Sequence, residues 1–73
     1  MEEWKERLVE EYTQTKERYN KLHAALVRRE AGVLDFEPME SLDIWKRQAS
    51  AMGNYLYILE LRMVVNSIPI PKV

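Results

Sequence analysis

The sequence has no cysteine and a single histidine, His23. Disulfide bonds are therefore excluded, and the side chains that form a structural zinc site are missing. A chain of 73 residues buries only about 60–65% of the surface that its unfolded form exposes, so its own core is marginal. Small domains of this kind are usually stabilised by disulfides, by a metal or by a partner chain. The composition thus favours association with another chain.

A surplus of positive charge is also missing, because 11 basic residues stand against 12 acidic ones and the net charge is −1. Proteins that bind long nucleic acid without sequence preference need excess cations, so this class is disfavoured. A small anion held by a few cations stays possible. The charged segment 1–7 does not resemble a signal peptide, and the longest apolar run, 55–59, is too short for a membrane span. We expect a cytoplasmic protein.

The motifs of common catalytic centres are missing as well. There is no glycine-rich phosphate loop, and none of the three serines lies at a suggestive spacing from His23. The carboxylates are numerous, but their spacing is that of exposed helix faces. The sequence therefore predicts a protein that is not an enzyme and that uses neither a cofactor nor a metal.

Two long helices dominate what is present. Residues 2–30 lack glycine and proline and are rich in helix-forming residues. A helix over about 2–30 is expected, followed by a loop over 31–38 that starts at a glycine stop signal. A second helix is expected over about 39–67, with either Pro38 in its first turn or Ser41 as its N-cap. An extended tail, 68–73, completes a single domain, 1–73.

Each predicted helix carries an apolar seam with steps of three and four residues. A loop of about eight residues makes the two helices antiparallel neighbours, so the seams can pack together. Apolar Val33, Leu34 and Phe36 are expected to fold back over the closed end. The expected fold class is all-α, an antiparallel two-helix hairpin that self-associates into a helical-bundle homo-oligomer. The seams are Leu8, Tyr12, Thr15, Tyr19, Leu22 and Leu26, and Leu42, Trp45, Ala49, Met52, Leu56, Leu59 and Met63.

The second helix has a further apolar stripe that one hairpin does not need. Its members repeat every seven residues, and three more residues at the same spacing lie beside them. Contiguous apolar surface usually marks an interface. We therefore predict that this helix packs against the same helix of another copy, in a dimer or a larger assembly. The predicted interface comprises Ile44, Gln48, Ala51, Tyr55, Ile58, Arg62 and Val65.

Arg62 lies in a strongly apolar stretch, where a charge is costly unless it is paired. One interpretation is an ion pair with Glu6, Glu10 or Glu11, or a side chain that extends to solvent. The other is an arginine that presents its donors to a phosphate or carboxylate in a cleft between subunits. The sequence leaves both open.

The aromatic residues allow two interpretations. In the first, Tyr19 and Trp45 are core residues, while Trp4 and Tyr57 cover the ends of the hairpin. In the second, Tyr12 and Tyr55 edge a cleft and stack on a nucleobase while nearby cations hold the phosphates. The candidate ligand-binding residues are Arg7, Tyr12, Lys16, Arg18, Tyr55 and Arg62.

Several short motifs resemble a family of small phage and prophage proteins first catalogued in crAss-like phages. These are residues 6–7 (Glu-Arg), residues 21–22 (Lys-Leu), and the second-helix spacing of Gln48, Met52, Tyr55, Leu59 and Arg62. The resemblance covers about residues 4–63. It implies a phage origin, a bacterial host cytoplasm and an accessory role during infection.

The helical hairpin also resembles, more loosely, the hairpins of phage anti-CBASS and anti-Thoeris sponges. These proteins oligomerise and hold cyclic nucleotides or ADP-ribose-derived signals between subunits. The resemblance implies sequestration, without catalysis, of a small nucleotide immune signal. Two alternatives stay open: a protein-interaction module that inhibits a host enzyme or serves as a phage assembly adaptor, and a nucleic-acid regulator, which the charge balance disfavours.

Overall fold

A computed structural model describes residues 2–73 and contains two helices, α1 (Glu3–Glu30) and α2 (Leu42–Val65). A loop over 31–41 joins them, and they pack side by side as an antiparallel hairpin of 44 × 18 × 17 Å. Residues 3–30 contain no glycine or proline, so α1 runs without interruption. The predicted all-α two-helix hairpin is confirmed.

The C-terminus of α1 follows the predicted glycine stop signal. Gly32 adopts a positive φ of 77°, a conformation that costs glycine little. The amide of Gly32 donates to the Arg29 carbonyl at 3.1 Å, and that of Val33 donates to the Arg28 carbonyl at 2.9 Å. These two bonds form a Schellman motif that satisfies carbonyls left free at the helix end.

The N-terminus of α2 lies later than the predicted residue 39. Ser41 is the N-cap, and its hydroxyl accepts a hydrogen bond from the Ile44 amide at 3.2 Å. This bond satisfies one of the amides that have no partner inside the helix. Of the two starting points that the sequence left open, Ser41 is therefore correct, and the loop extends to residue 41.

The C-terminus of α2 is two residues earlier than predicted, at Val65. Ser67 has a positive φ of 57°, which ends the helix and turns the chain. The amide of Ile68 donates to the Met63 carbonyl at 2.8 Å, and that of Ser67 donates to the Val64 carbonyl at 3.1 Å. This second Schellman motif has a serine where glycine is usual.

The core lies mainly in the half of the hairpin away from the loop, and it is built from residues of the two predicted seams together with Ile68 of the tail. Val9 and Tyr19 pack against it, while the buried Leu26 lies outside this cluster, nearer the loop. The buried cluster comprises Leu8, Tyr12, Leu56, Leu59, Met63 and Ile68.

The loop does not form the predicted apolar plug. Val33 and Phe36 are exposed, and only Leu34 is half-buried. Phe36 lies beside Trp45, with 6.4 Å between ring centroids. The loop therefore covers the closed end only in part.

Arg29 closes that end instead. Its Nη2 donates to the Glu40 carbonyl at 2.9 Å, and its guanidinium carbon lies 4.8 Å from the centroid of the Trp45 ring. Lys46 and Glu30 add an ion pair of 3.5 Å between the two helices. One arginine thus joins the end of α1 to the loop and to α2.

The tail, 66–73, runs back along α1. Ile68 is buried in the core, and the Asn20 side chain donates to the Val73 carbonyl at 3.4 Å. Apart from the turn at residues 66 and 67, the tail contains neither helix nor strand. The contacts of Ile68 and Asn20 hold the tail against the hairpin.

Candidate functional site

An open groove of about 370 Å³ lies at the end of the hairpin opposite the loop. Here the first turns of α1 face the last turns of α2, because the helices are antiparallel. The groove is lined by Trp4, Arg7, Leu8, Glu11, Tyr55, Leu59 and Arg62.

The floor and the rim of this groove differ in chemistry. Leu8 and Leu59 are buried and form an apolar floor, whereas the other lining residues are exposed. The lining residues of α1 are spaced by one, three and four positions, and those of α2 by three and four, so each set occupies one face of its helix. An apolar floor with a few polar groups on the rim is typical of a small-molecule site.

Arg62 contributes a cation without a carboxylate partner. Within residues 2–73 it forms no ion pair, so of the first interpretation only the side chain that extends to solvent fits, and no bond to Glu6, Glu10 or Glu11 is made. Its side chain is exposed and lines the groove. Its guanidinium donors are therefore available to an anion.

Arg7 provides the second cation on the rim. It pairs with Glu3 one turn earlier on α1, and both side chains are about three-quarters exposed. Exposed ion pairs of this type contribute little to stability, on the order of 0–1 kcal/mol. An anionic ligand can consequently replace Glu3 as the partner of Arg7 at small cost.

Tyr55 and Glu11 meet across the groove. The Tyr55 hydroxyl donates to Glu11 Oε1 at 3.3 Å, and the Thr15 hydroxyl donates to the same oxygen at 3.3 Å. Desolvation by the surrounding side chains and the negative charge of Glu11 raise the pKa of Tyr55, while Arg62 opposes this shift. Tyr55 thus stays a neutral hydrogen-bond donor, and its half-exposed ring forms part of the groove wall.

Trp4 lines the groove at the end of the hairpin that one interpretation of the aromatic residues expects it to cover. Its ring is 41% exposed, and its Nε1 donates to Glu2 at 2.7 Å. Trp4, Leu8 and Glu11 are spaced by four and three residues, which places them on one face of α1. That spacing was the available signal for both Trp4 and Glu11.

Tyr12 lies outside the groove. It is only 3% exposed, and its hydroxyl donates to Glu60 Oε2 at 2.7 Å. Burial and the hydrogen bond and charge of Glu60 raise the pKa of Tyr12 to about 12. The predicted stacking of Tyr12 on a base does not fit this position, because a residue of the packed seam has no free ring face.

The two other predicted cations also lie away from the groove. Lys16 lies on the other side of the α1 seam, with its Nζ 5.4 Å from the centroid of the Tyr19 ring. Arg18 is exposed on the same side of α1 as Glu11, but two turns further along the helix. Of the six candidate ligand-binding residues, the structure brings together three: Arg7, Tyr55 and Arg62.

The predicted interface residues are all exposed on the single chain. Ile58 lies one turn from both Tyr55 and Arg62 on α2, so the apolar stripe borders the groove. Further apolar side chains, Tyr57, Leu61 and Val64, widen the exposed surface beyond the predicted stripe. We call Ile44, Ala51, Ile58 and Val65 the α2 stripe.

Neither helix in the part of the chain that the structure describes is long and apolar enough to cross a membrane. Among residues 2–73, no group of three or more acidic or histidine side chains is placed to hold a metal ion.

Comparison with known proteins identifies a family. No curated protein and no solved structure matches the chain. The model of the Sequestin family matches residues 2–65, which include both helices and every residue of the groove. The family's name indicates a sequestering role, in agreement with the resemblance to sequestering phage proteins. The chain belongs to the Sequestin family.

Proposed function

We propose that this protein is a phage accessory protein that binds and sequesters a small nucleotide signal of bacterial immunity, without catalysis. The ligand class is a cyclic oligonucleotide or a cyclic ADP-ribose-type molecule. Membership of the Sequestin family supports the sequestering role. The ligand class rests on the chemistry of the groove.

The observation that carries the proposal is the pairing of cations with aromatic rings around one apolar floor. Arg7 and Arg62 offer planar sets of donors that suit phosphate oxygens. Trp4 and Tyr55 offer partly exposed rings on which a base can stack. A nucleotide contains both partners, an anionic phosphate and a flat base.

We further propose that the functional form is a homo-oligomer, a dimer or a larger assembly. The α2 stripe leaves apolar side chains in water, and Val65 is 81% exposed. Since the stripe borders the groove, a second copy packed against it would cover the open side of the groove. A ligand held between two copies would lose more contact with water and dissociate more slowly than one held by a single open groove.

Calorimetric titration with cyclic di- and trinucleotides and cyclic ADP-ribose isomers tests the proposal. We expect saturable binding of at least one, and a loss of about ten-fold or more in affinity for Arg62→Ala and for Tyr55→Ala. Arg47→Ala is the matched control, because Arg47 is an exposed arginine of the same helix, paired with Asp43 far from the groove. Absence of binding across the panel would refute the nucleotide proposal.

Sequestration also differs from degradation in the fate of the ligand. We expect heat denaturation of the loaded protein to release the nucleotide with unchanged mass and chromatographic retention. Recovery of a hydrolysed product would instead indicate an enzyme.

The exposed apolar surface of α2 also favours a second candidate function, docking on a host or phage protein. An amphipathic helix that lays its apolar side in a partner's groove presents such anchors. A stoichiometric partner recovered from host lysate by the wild type, and lost in Leu61→Lys, would favour this function. Leu61 is exposed and is not among the groove residues, so the change leaves the lining of the groove in place.

A further inference from the structure

We propose that Glu11 makes the groove selective for a guanine base. The inference rests on the proposed nucleotide binding and adds to it the chemical identity of the ligand's base. Glu11 is a carboxylate in a groove whose arginines, Arg7 and Arg62, attract anions. Such a group would weaken phosphate binding unless it contacts another part of the ligand.

Glu11 is held in place on one side and free on the other. Its Oε1 accepts hydrogen bonds from Thr15, which is buried, and from Tyr55 across the groove. Within residues 2–73, no donor is bonded to its Oε2. An ionised carboxylate has about four lone-pair positions and no donor. Glu11 lines the groove and therefore offers it acceptors that the chain itself leaves unused.

Acceptors of this kind match guanine better than adenine. The Watson–Crick edge of guanine carries two adjacent donors, the ring N1–H and the exocyclic amino group. The free Oε2 of Glu11 has two lone-pair positions for these donors, and one of them can also displace the 3.3 Å contact of Tyr55 on Oε1. Adenine presents an acceptor nitrogen next to its amino group, so one contact would be repulsive. Unpaired bases are commonly distinguished by hydrogen bonds along this edge. A repulsive contact with the wrong base strengthens the selection.

The charges along the groove orient the ligand. Arg7 precedes Glu11 by about one helical turn, roughly 6 Å along the axis. Arg62 lies two turns after Tyr55 on α2. Because the helices are antiparallel, both arginines lie between Glu11 and the end of the hairpin opposite the loop. Phosphate is attracted to that end and repelled by Glu11, while a base stacked on Tyr55 reaches the carboxylate.

The test uses three cyclic dinucleotides that differ in the base edge. Cyclic di-IMP lacks the 2-amino group of cyclic di-GMP, and cyclic di-AMP has the opposite donor and acceptor pattern. We expect wild-type protein to bind cyclic di-GMP about ten-fold or more tighter than either analogue. Glu11→Gln should lower the affinity for cyclic di-GMP by about ten-fold. Its affinity for cyclic di-AMP should rise relative to that for cyclic di-GMP, because a glutamine amide pairs well with adenine.

Glu10→Gln is the matched control. It removes the same charge from the neighbouring residue, which is exposed and points away from the groove. This variant should keep the wild-type order of affinities. Thermal melting by circular dichroism checks that both variants remain folded.

The outcomes separate this inference from the proposed function. Guanine selection would be overturned if the wild type bound cyclic di-AMP or cyclic ADP-ribose as tightly as cyclic di-GMP, or more tightly. It would also be overturned if Glu11→Gln kept the wild-type order of affinities. Either result would leave the proposed sequestration intact. Absence of binding by the wild type to every nucleotide tested would overturn both.

Discussion

At the residue scale, the contact of Tyr12 with Glu60 is the polar bond that joins the two helices inside the core. Both side chains are at least partly buried, and their oxygens are 2.7 Å apart. Because Glu60 is charged, this bond is stronger than one between neutral groups. Removal of the Tyr12 hydroxyl would leave the Glu60 carboxylate without this donor.

Tyr12→Phe should therefore lower the free energy of unfolding by about 1–2 kcal/mol at neutral pH. Urea denaturation followed by circular dichroism measures the change. Tyr57→Phe is the control, because Tyr57 is exposed, and its effect should stay within about 0.5 kcal/mol. Equal effects of the two substitutions would contradict the assigned bond.

The same bond predicts a dependence on alkaline pH. The pKa of Tyr12 is raised from 10.0 to about 12 in the folded protein, so folding favours the neutral phenol. Its contribution to stability is fully present below pH 10.0 and is lost as the pH rises towards about 12. The stability difference between wild type and Tyr12→Phe should shrink over that interval. A stability difference that stays constant between pH 10.0 and about 12 would argue against a raised pKa of Tyr12.

Only some of the groove residues can be predicted from the sequence. Arg62 stood out because a charge in an apolar stretch needs an explanation, and it does line the groove. Trp4 and Glu11 did not stand out, because their role depends on which turn of α2 lies opposite them. Helical spacing places a residue on a face of its own helix but does not fix the partner across the interface.

At the element scale, the two helix ends contrast. Both α1 and α2 finish in Schellman motifs, but α1 uses Gly32 and α2 uses Ser67. The α1 stop was predictable, since glycine is the usual residue there. The α2 stop at Val65 was not, because a serine with positive φ has no sequence signal and depends on Ile68 packing into the core.

Ser67→Gly should raise the free energy of unfolding by up to about 1 kcal/mol, because glycine takes a positive φ without the steric cost of a side chain. Ser50→Gly is the control, at an exposed position inside α2, where glycine should destabilise by roughly 0.5–1 kcal/mol. Thermal denaturation of the pair should thus give shifts of opposite sign. Destabilisation by Ser67→Gly would contradict the assigned turn.

At the scale of the whole molecule, the hairpin and its seams followed from periodicity alone, while the loop did not. Val33 and Phe36 are apolar but remain exposed. At the loop end of the hairpin, Arg29 of α1 bonds to Glu40 of the loop and lies over the ring of Trp45 in α2. The α2 stripe was visible in the sequence because one hairpin can cover only one side of each helix. The exposed apolar surface beside the stripe, which includes Leu61 and Val64, became visible only in the structure.

The proposed assembly makes a prediction at this scale. Ile58→Lys should raise the dissociation constant of the oligomer by about ten-fold or more, because it places a charge in an apolar interface. The monomer should stay folded, since Ile58 is about half-exposed on the single chain. Sedimentation equilibrium measures the effect, and Gln14→Lys, exposed on α1, is the matched control.

The most direct test of the central claim, a nucleotide held by an assembly of these hairpins, is native mass spectrometry. The protein would be purified from cells that also produce a bacterial cyclic dinucleotide synthase. The account predicts an oligomer that carries additional mass equal to a whole number of nucleotides, released intact on denaturation. A folded monomer, or an oligomer without nucleotide from cells shown to contain it, would contradict the account.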